Sequence, residues 1–230
     1  METILTSQLF LISITLVFYY LGLLLYKYTK LAICNPVLLS VIALIATLKL
    51  LNIEFEAYKE ATKIFDFFLG MAVVCLGYLI YEQKEHIKGK ELNVIISLSL
   101  GCIIGLITVI AISKVLGASD IITLSIAPKS VTAPVAIAIV EPFGANVAIT
   151  AITVIFTGIF GNVFGFKIMS WIGLKNQQAK GLAMGASSHG IGTAKAIETS
   201  AIEGAMSGIA MGGMCVITAI LFPIIWELFS

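Results

Sequence analysis

The sequence has no arginine, five prolines and only 12% charged residues. Soluble domains average about 25% charged. The missing charge leaves four long uncharged runs: Thr3 to Tyr26, Leu92 to Ser113, Pro142 to Phe166 and Gly204 to Trp226. About 20 helical residues cross the roughly 30 Å hydrocarbon core of a bilayer. Four such runs specify an all-α, multi-pass membrane protein surrounded by lipid, with residues 1–230 forming one integral membrane domain. The first run lacks a basic n-region and an A-x-A site and is too long for an h-region, so it reads as a retained span. The lysines form no basic stripe, which argues against nucleic acid. Cys34, Cys75, Cys102 and Cys215 make no C-x-x-C pair and read as small packing residues. Metal-ligand spacing, a Walker A motif, a dinucleotide fingerprint and a G-x-S-x-G elbow are all missing from the sequence. Ser188 and His189 are adjacent and cannot form a triad on their own. These absences predict a non-enzyme without metal or cofactor.

What is present is a series of seven or eight hydrophobic segments, near 4–26, 31–50, 64–81, 92–114, 119–140, 146–170, 178–197 and 204–228. The polar connection 52–66 alternates Ile53, Phe55, Tyr58, Ala61, Ile64 and Phe65 with charged residues, which predicts an interfacial helix. Several segments contain helix breakers: Asn35–Pro36 in the second, Gly70 and Gly77 in the third, Pro128 and Pro134 in the fifth, and Gly185, Gly190 and Gly192 in the seventh. Broken backbone at membrane depth survives only inside protein or beside a cavity. The fifth and seventh segments are therefore predicted as discontinuous helices away from lipid. Each runs to a polar cluster and then a carboxylate, a weak internal repeat of the kind seen where paired broken helices meet at the midplane. Lysines group at 27 and 30, at 84, 88 and 90, and at 167, 175 and 180. The positive-inside rule puts all three groups on one side if segments five and seven each enter and leave by the same face. The frequent GxxxG spacings, such as Gly101/Gly105, Gly161/Gly165, Gly181/Gly185 and Gly204/Gly208/Gly212, predict tight helix packing.

Lys129 lies near the centre of its segment, where a charge costs about 3 kcal/mol and generally faces a cavity or a partner. Two readings stay open: an internal salt bridge to Glu141 or Glu198, or a cation that receives an anion. A break at Pro128 would start a new helix near Ser130, which suits an N-cap, and a carboxylate would then meet Lys129, Ser130, Thr132 and free backbone N–H groups. His189, in ASSHGIGTA, reads either as a buried neutral histidine bonded to a carbonyl or as a substrate or proton group. Ser187, Ser188 and Thr193 offer hydroxyls, and Gly190 lets a ligand approach the backbone. Glu141 and Glu198 are solvated loop carboxylates or, with His189, proton-coupling groups.

At KSVTAPVA and GLAMGASSHGIGTAKAIE the chain resembles the LrgB/CidB family, with NPVLLS, YLIYEQ and VIFTGIFGNVFG in the family's order. The resemblance implies an antiporter- or anion-transporter-like fold with crossed, broken helices. It also implies one of two activities. One is antiholin-like regulation of murein hydrolases and lysis, with a small LrgA- or CidA-like membrane partner. The other is secondary transport of small monocarboxylates such as glycolate, glycerate, pyruvate or lactate. In the transport case Lys129, Ser130, Thr132, Ser188, His189, Gly190 and Thr193 are the expected binding positions. A homo-oligomer remains open in either case.

Overall fold

A computed structural model describes residues 5–29, 34, 36–65, 67–68, 71, 78, 81 and 84–229. Among them the regular structure is entirely helical. The third hydrophobic segment, with Gly70, Gly77 and YLIYEQ, falls mostly outside these residues, as does Asn35. Among the described residues four helices are long and apolar enough to cross a membrane: α1 (Gln8–Thr29), α4 (Glu91–Val115), α7 (Val147–Trp171) and α9 (Ala201–Glu227). A fifth span results if α2 (Pro36–Leu50) and α3 (Phe55–Ala61), bent by 120°, count as one. Among the described residues the count of seven or eight segments is not confirmed: the fifth and seventh are not single crossing helices but turn back on themselves.

The chain divides into two compact units. In the first, residues 1–71, α2 begins at Pro36, whose missing N–H costs nothing in a first helical turn. Gly22 of α1 lets the Pro36 backbone approach closely. Leu11, Leu48 and Ile53 form the small core, with Tyr58 and Ala61 of α3 packed on it. The Tyr58 hydroxyl meets Thr15 Oγ1 at 3.0 Å. The predicted interfacial helix is thus one short helix whose Tyr58 and Ala61 face inward while Glu56, Lys59 and Glu60 are exposed.

The second unit, residues 72–230, is organised by α4 and α9. Gly213 lies beside Leu98, Cys102 Sγ meets Thr218 Oγ1 at 3.3 Å, and Lys114 Nζ donates to the Phe229 carbonyl. These contacts keep the same order along both helices, so α4 and α9 run parallel.

The fifth segment is a hairpin. Asp120 sits 3.8 Å from Lys114, so α5 (Asp120–Ile126) starts at the end where α4 and α9 finish. It runs inward to an unwound tip, and α6 (Ala133–Val140) returns. Thr132 Oγ1 reaches Cys215 Sγ at 3.8 Å and the Phe143 ring packs edge-on to Phe222 at 5.8 Å, so residues 132–143 follow α9 back outward. The Asn146 N–H donates to Ser125 Oγ at 2.8 Å and ties the start of α7 to the inner end of α5.

The seventh segment, α8 (Gln177–Thr199), is a second hairpin, reversed at His189 (φ 41°, ψ −136°). A Cβ on Gly192 would lie 3.0 Å from the Met184 carbonyl. In an unbroken helix, residues eight apart are separated by about 12 Å. Gly181 meets Glu203 and Met206, and Gly185 meets Ser207 and Ala210, so the first half runs alongside α9. Thr193 bonds Ser207 and Ile197 packs on Gly204, so the second half runs against it. Asn176, Asn146 and Ser200 cap α8, α7 and α9 by accepting from Ala179, Ile149 and Glu203 N–H.

Lys90 Nζ donates to Gln178 Oε1 at 2.9 Å, so this second hairpin enters at the end where α4 begins, opposite the first. Gly158 of α7 packs on His189 and Gly165 on Met184, so α7 ends there too. Lys88, Lys90, Lys167, Lys175 and Lys180 therefore share one end of this unit, the arrangement expected if each broken segment leaves by the face it entered, the two using opposite faces. Of the GxxxG glycines, Gly161, Gly165, Gly181, Gly185 and Gly204 make close contacts, whereas Gly101, Gly105 and Gly208 face open space among the described residues.

Candidate functional site

Opposed hairpins bring both tips to the middle of the second unit. Beside the first tip lies a cavity of about 250 Å³, bounded by α4, that tip, the first half of α8, and α9. Its polar atoms come from Lys129 and Ser130 at the tip, Ser187 on α8, and Cys102 and Thr218 across it. Gly105, Ala183, Ala186 and Met214 supply the apolar wall.

Lys129 is half-buried and its Nζ donates to Ser130 Oγ at 3.1 Å. Among the described residues no carboxylate lies within 4.0 Å of it, so the first of its two readings, a salt bridge to Glu141 or Glu198, is not realised. Glu198 is exposed and pairs with Lys195 at 3.0 Å, and Glu141 is exposed where α6 passes into a short 3-10 turn. Neither lines the cavity.

The expected N-cap at Ser130 is corrected. The second half-helix begins at Ala133, preceded by Thr132 in an extended conformation (φ −65°, ψ 147°), and Pro134 sits in its first turn. Proline fits a first turn because no N–H is needed there. The second proline, not Pro128, therefore sets the helix start. Thr132 makes no side-chain cap and turns to Cys215. Ser130 is left in the unwound tip, facing the cavity beside Lys129.

His189 is buried and bonded to a carbonyl. Its Nε2 lies 3.0 Å from the Val154 carbonyl and the side chain is 5% exposed. A carbonyl only accepts, so Nε2 carries the proton in this bond. The ring occupies the space left by Gly158. Thr193 Oγ1 donates to the His189 carbonyl at 2.8 Å, which leaves it to accept from Ser207 Oγ at 2.9 Å. Ser188 packs on Gly161, with its Oγ 3.0 Å from Ser187 Oγ. Gly190 lies near Met211 Sδ. Asn162 Nδ2 donates to the Ile191 carbonyl at 3.0 Å, serving backbone that the reversal exposes. Of the expected positions, Lys129 and Ser130 line the cavity. Ser188, His189 and Thr193 lock the second tip behind it, and Thr132 ties the first tip to α9.

Cys102, Thr218 and Met214 line the site without having been singled out from the sequence. A signal existed for α9: Ser207, Met211, Met214 and Thr218 recur at spacings of four, three and four, which is one helical face.

The sequence profile of the LrgB-like family matches residues 15–228. The holin-like protein CidB of Staphylococcus epidermidis is 31% identical over 219 residues, 95% of this chain and 96% of that protein. The holin-like protein CidB of Staphylococcus aureus is 30% identical over 223 residues, 97% of each chain. The antiholin-like protein LrgB of Bacillus cereus is 30% identical over 213 residues, 92% of this chain and 93% of that one. No solved structure matches.

Proposed function

The chain belongs to the LrgB-like family of multi-pass bacterial membrane proteins, and from that premise we propose that it acts in holin-like or antiholin-like control of lysis, with a small LrgA- or CidA-like membrane partner. The observation that carries this proposal is similarity to proteins named holin-like CidB and antiholin-like LrgB over more than nine-tenths of the chain. The test is expression of the chain alone, of the partner alone and of both, with lysis followed by turbidity. The expected outcome is a change in lysis timing only when both are present. A shift caused equally by the chain alone would remove the partner from the proposal.

A second reading, a carrier of small monocarboxylates of the glycolate, glycerate, pyruvate and lactate class, is favoured by one observation: Lys129 faces a cavity between the first hairpin tip and the first half of α8, with no carboxylate within 4.0 Å of it among the described residues. In this reading Lys129 receives the carboxylate and Ser130 a 2-hydroxyl or 2-oxo group. Thr132, Ser188, His189, Gly190 and Thr193 hold the tips that shape the site. Glu141, His189 and Glu198 are its proton-coupling candidates. Uptake of labelled pyruvate, glycolate and lactate into proteoliposomes containing the purified chain tests it. Lys129→Ala is expected to abolish uptake, and undiminished flux in that variant would dismiss the site. The two readings are compatible, since carboxylate or proton flux alters lysis indirectly.

A further inference from the structure

A second cavity, of about 180 Å³, opens between the starts of α4 and α8. Lys90, Asn93, Ser97, Asn176 and Gln178 supply its polar lining. Its apolar wall comes from Val94, Leu182 and Met206, among others. Among the described residues no carboxylate lies within 4.0 Å of Lys90, whose ammonium is held by a neutral amide, Gln178 Oε1. That bond orients the charge without neutralising it and leaves two ammonium hydrogens for another acceptor. Asn176 spends its Oδ1 on capping Ala179, which leaves its Nδ2 as a donor. The Asn93 amide and the Ser97 hydroxyl add further donors. The set is rich in donors and carries one uncompensated positive charge.

Its position names the ligand's other half. Ser97 lies two turns inside α4, within an uncharged run, so the cavity reaches from the polar end of the helix toward membrane depth. Lys88, Lys167, Lys175 and Lys180 lie at the same end, which the positive-inside rule assigns to the cytoplasm. We propose that this cavity binds the phosphate headgroup of an anionic phospholipid of the cytoplasmic leaflet, with Lys90 and the amides of Asn93 and Asn176 on the phosphate oxygens and the acyl chains leaving along α4. Basic pockets between helices on the cytoplasmic side are suited to such headgroups. The site is separate from the Lys129 cavity and does not depend on either functional reading.

The test uses the full chain, delipidated in detergent and given phosphatidylglycerol, phosphatidylcholine or soluble glycerol 3-phosphate. Retention is read by native mass spectrometry and stabilisation by the melting midpoint. Phosphatidylglycerol is expected to be retained and to raise the midpoint, and phosphatidylcholine to do neither. Lys90→Gln weakens retention about fivefold, the worth of one lysine near an anionic lipid. Lys175→Gln, at the same end but outside the cavity, leaves it unchanged. Where Lys90→Gln folds poorly, Asn93→Leu, which removes a donor and fills the mouth, gives the same loss. Equal effects of Lys90→Gln and Lys175→Gln would show only a diffuse surface charge and overturn the site. Stabilisation by glycerol 3-phosphate equal to that by the lipid would overturn the lipid assignment.

Discussion

The two hairpins reverse the chain by opposite means. The first, residues 120–143, opens into an unwound tip at 127–132 that contains Pro128 and stops just short of Pro134, with a lysine and a serine facing a cavity. The second, residues 177–199, turns at a single residue, and its two halves close on each other and on α9 through Gly181, Gly185, Gly192 and Gly204. One tip is loose in backbone and polar in lining; the other is closely packed, with His189, Thr193 and Ser188 buried. Proline can stop a helix without any neighbour's help, so the first tip tolerates empty space beside it. A reversal at one residue needs backbone-to-backbone packing to hold it, so the second tip has little slack. This difference predicts that damage to the second hairpin unfolds the protein, while damage to the first alters what the cavity binds.

The largest effect is expected at Gly185. A Cβ there would collide with the Ser207 carbonyl, which is helix backbone and cannot rotate away. Gly185→Leu should cost about 3 kcal/mol or more, the upper end of overpacking penalties, and appear as loss of monodisperse protein on size exclusion. Gly105→Leu adds the same volume where no described atom beyond the neighbouring helix backbone lies within 4 Å of a Cβ, and should leave the elution profile intact while filling the Lys129 cavity. Equal loss in both variants would break the comparison.

His189 comes next. Its φ of 41° with ψ −136° is a conformation that glycine adopts and other residues resist, at about 1–3 kcal/mol. His189→Ala and His189→Gly both delete the bond to the Val154 carbonyl, so the difference between them isolates the backbone. The glycine variant is expected to be the more stable by about 1–2 kcal/mol in thermal melts. An alanine variant as stable as the glycine one would mean that the turn is not strained.

The long spans were legible because charge marks where a helix leaves the membrane. The run Leu92 to Ser113 lies inside α4, and Gly204 to Trp226 lies inside α9, each bounded by a charged residue within a turn. The breaks were legible for a similar local reason, since proline and glycine act on their own turn. The direction after each break was not. Pro128 says that a helix stops, but the return path is set by contacts such as Asn146 to Ser125 and Thr132 to Cys215, between residues far apart in sequence. Lys129 stood out because a mid-span charge is costly. Thr218 and Cys102 did not, since one hydroxyl or thiol in an apolar helix reads as packing until the opposite wall is known. His189 was legible as important and ambiguous as to why; only its distance to Val154 separates an anchor from a ligand group.

The third test bears on the loose tip. Lys129→Met keeps the length of the side chain and removes a half-buried charge whose sole bonding partner among the described residues is a hydroxyl. Relief of that burial should raise stability by about 1 kcal/mol. Any monocarboxylate binding measured with the wild-type chain should disappear. Greater stability with lost binding is the signature of a residue kept for a ligand; lower stability would mark Lys129 as part of the packing and return the first hairpin to a structural role.

The smallest effect separates the two prolines' contributions. Pro134 lies in the first turn of α6, where φ is already near the proline value and no N–H is required. Pro134→Ala should therefore cost no more than about 1 kcal/mol, acting through the greater freedom of the unfolded chain. The cavity should be unaffected, because Pro134 does not line it, whereas Pro128 does and is almost fully buried. Melting curves and monocarboxylate binding measured on Pro134→Ala and Pro128→Ala together make the distinction. A Pro134→Ala variant that melts slightly lower with unchanged binding places the control of the site at Pro128 and Lys129. Loss of binding in Pro134→Ala alone would instead show that the start of α6, and the N–H groups it presents, forms part of the site.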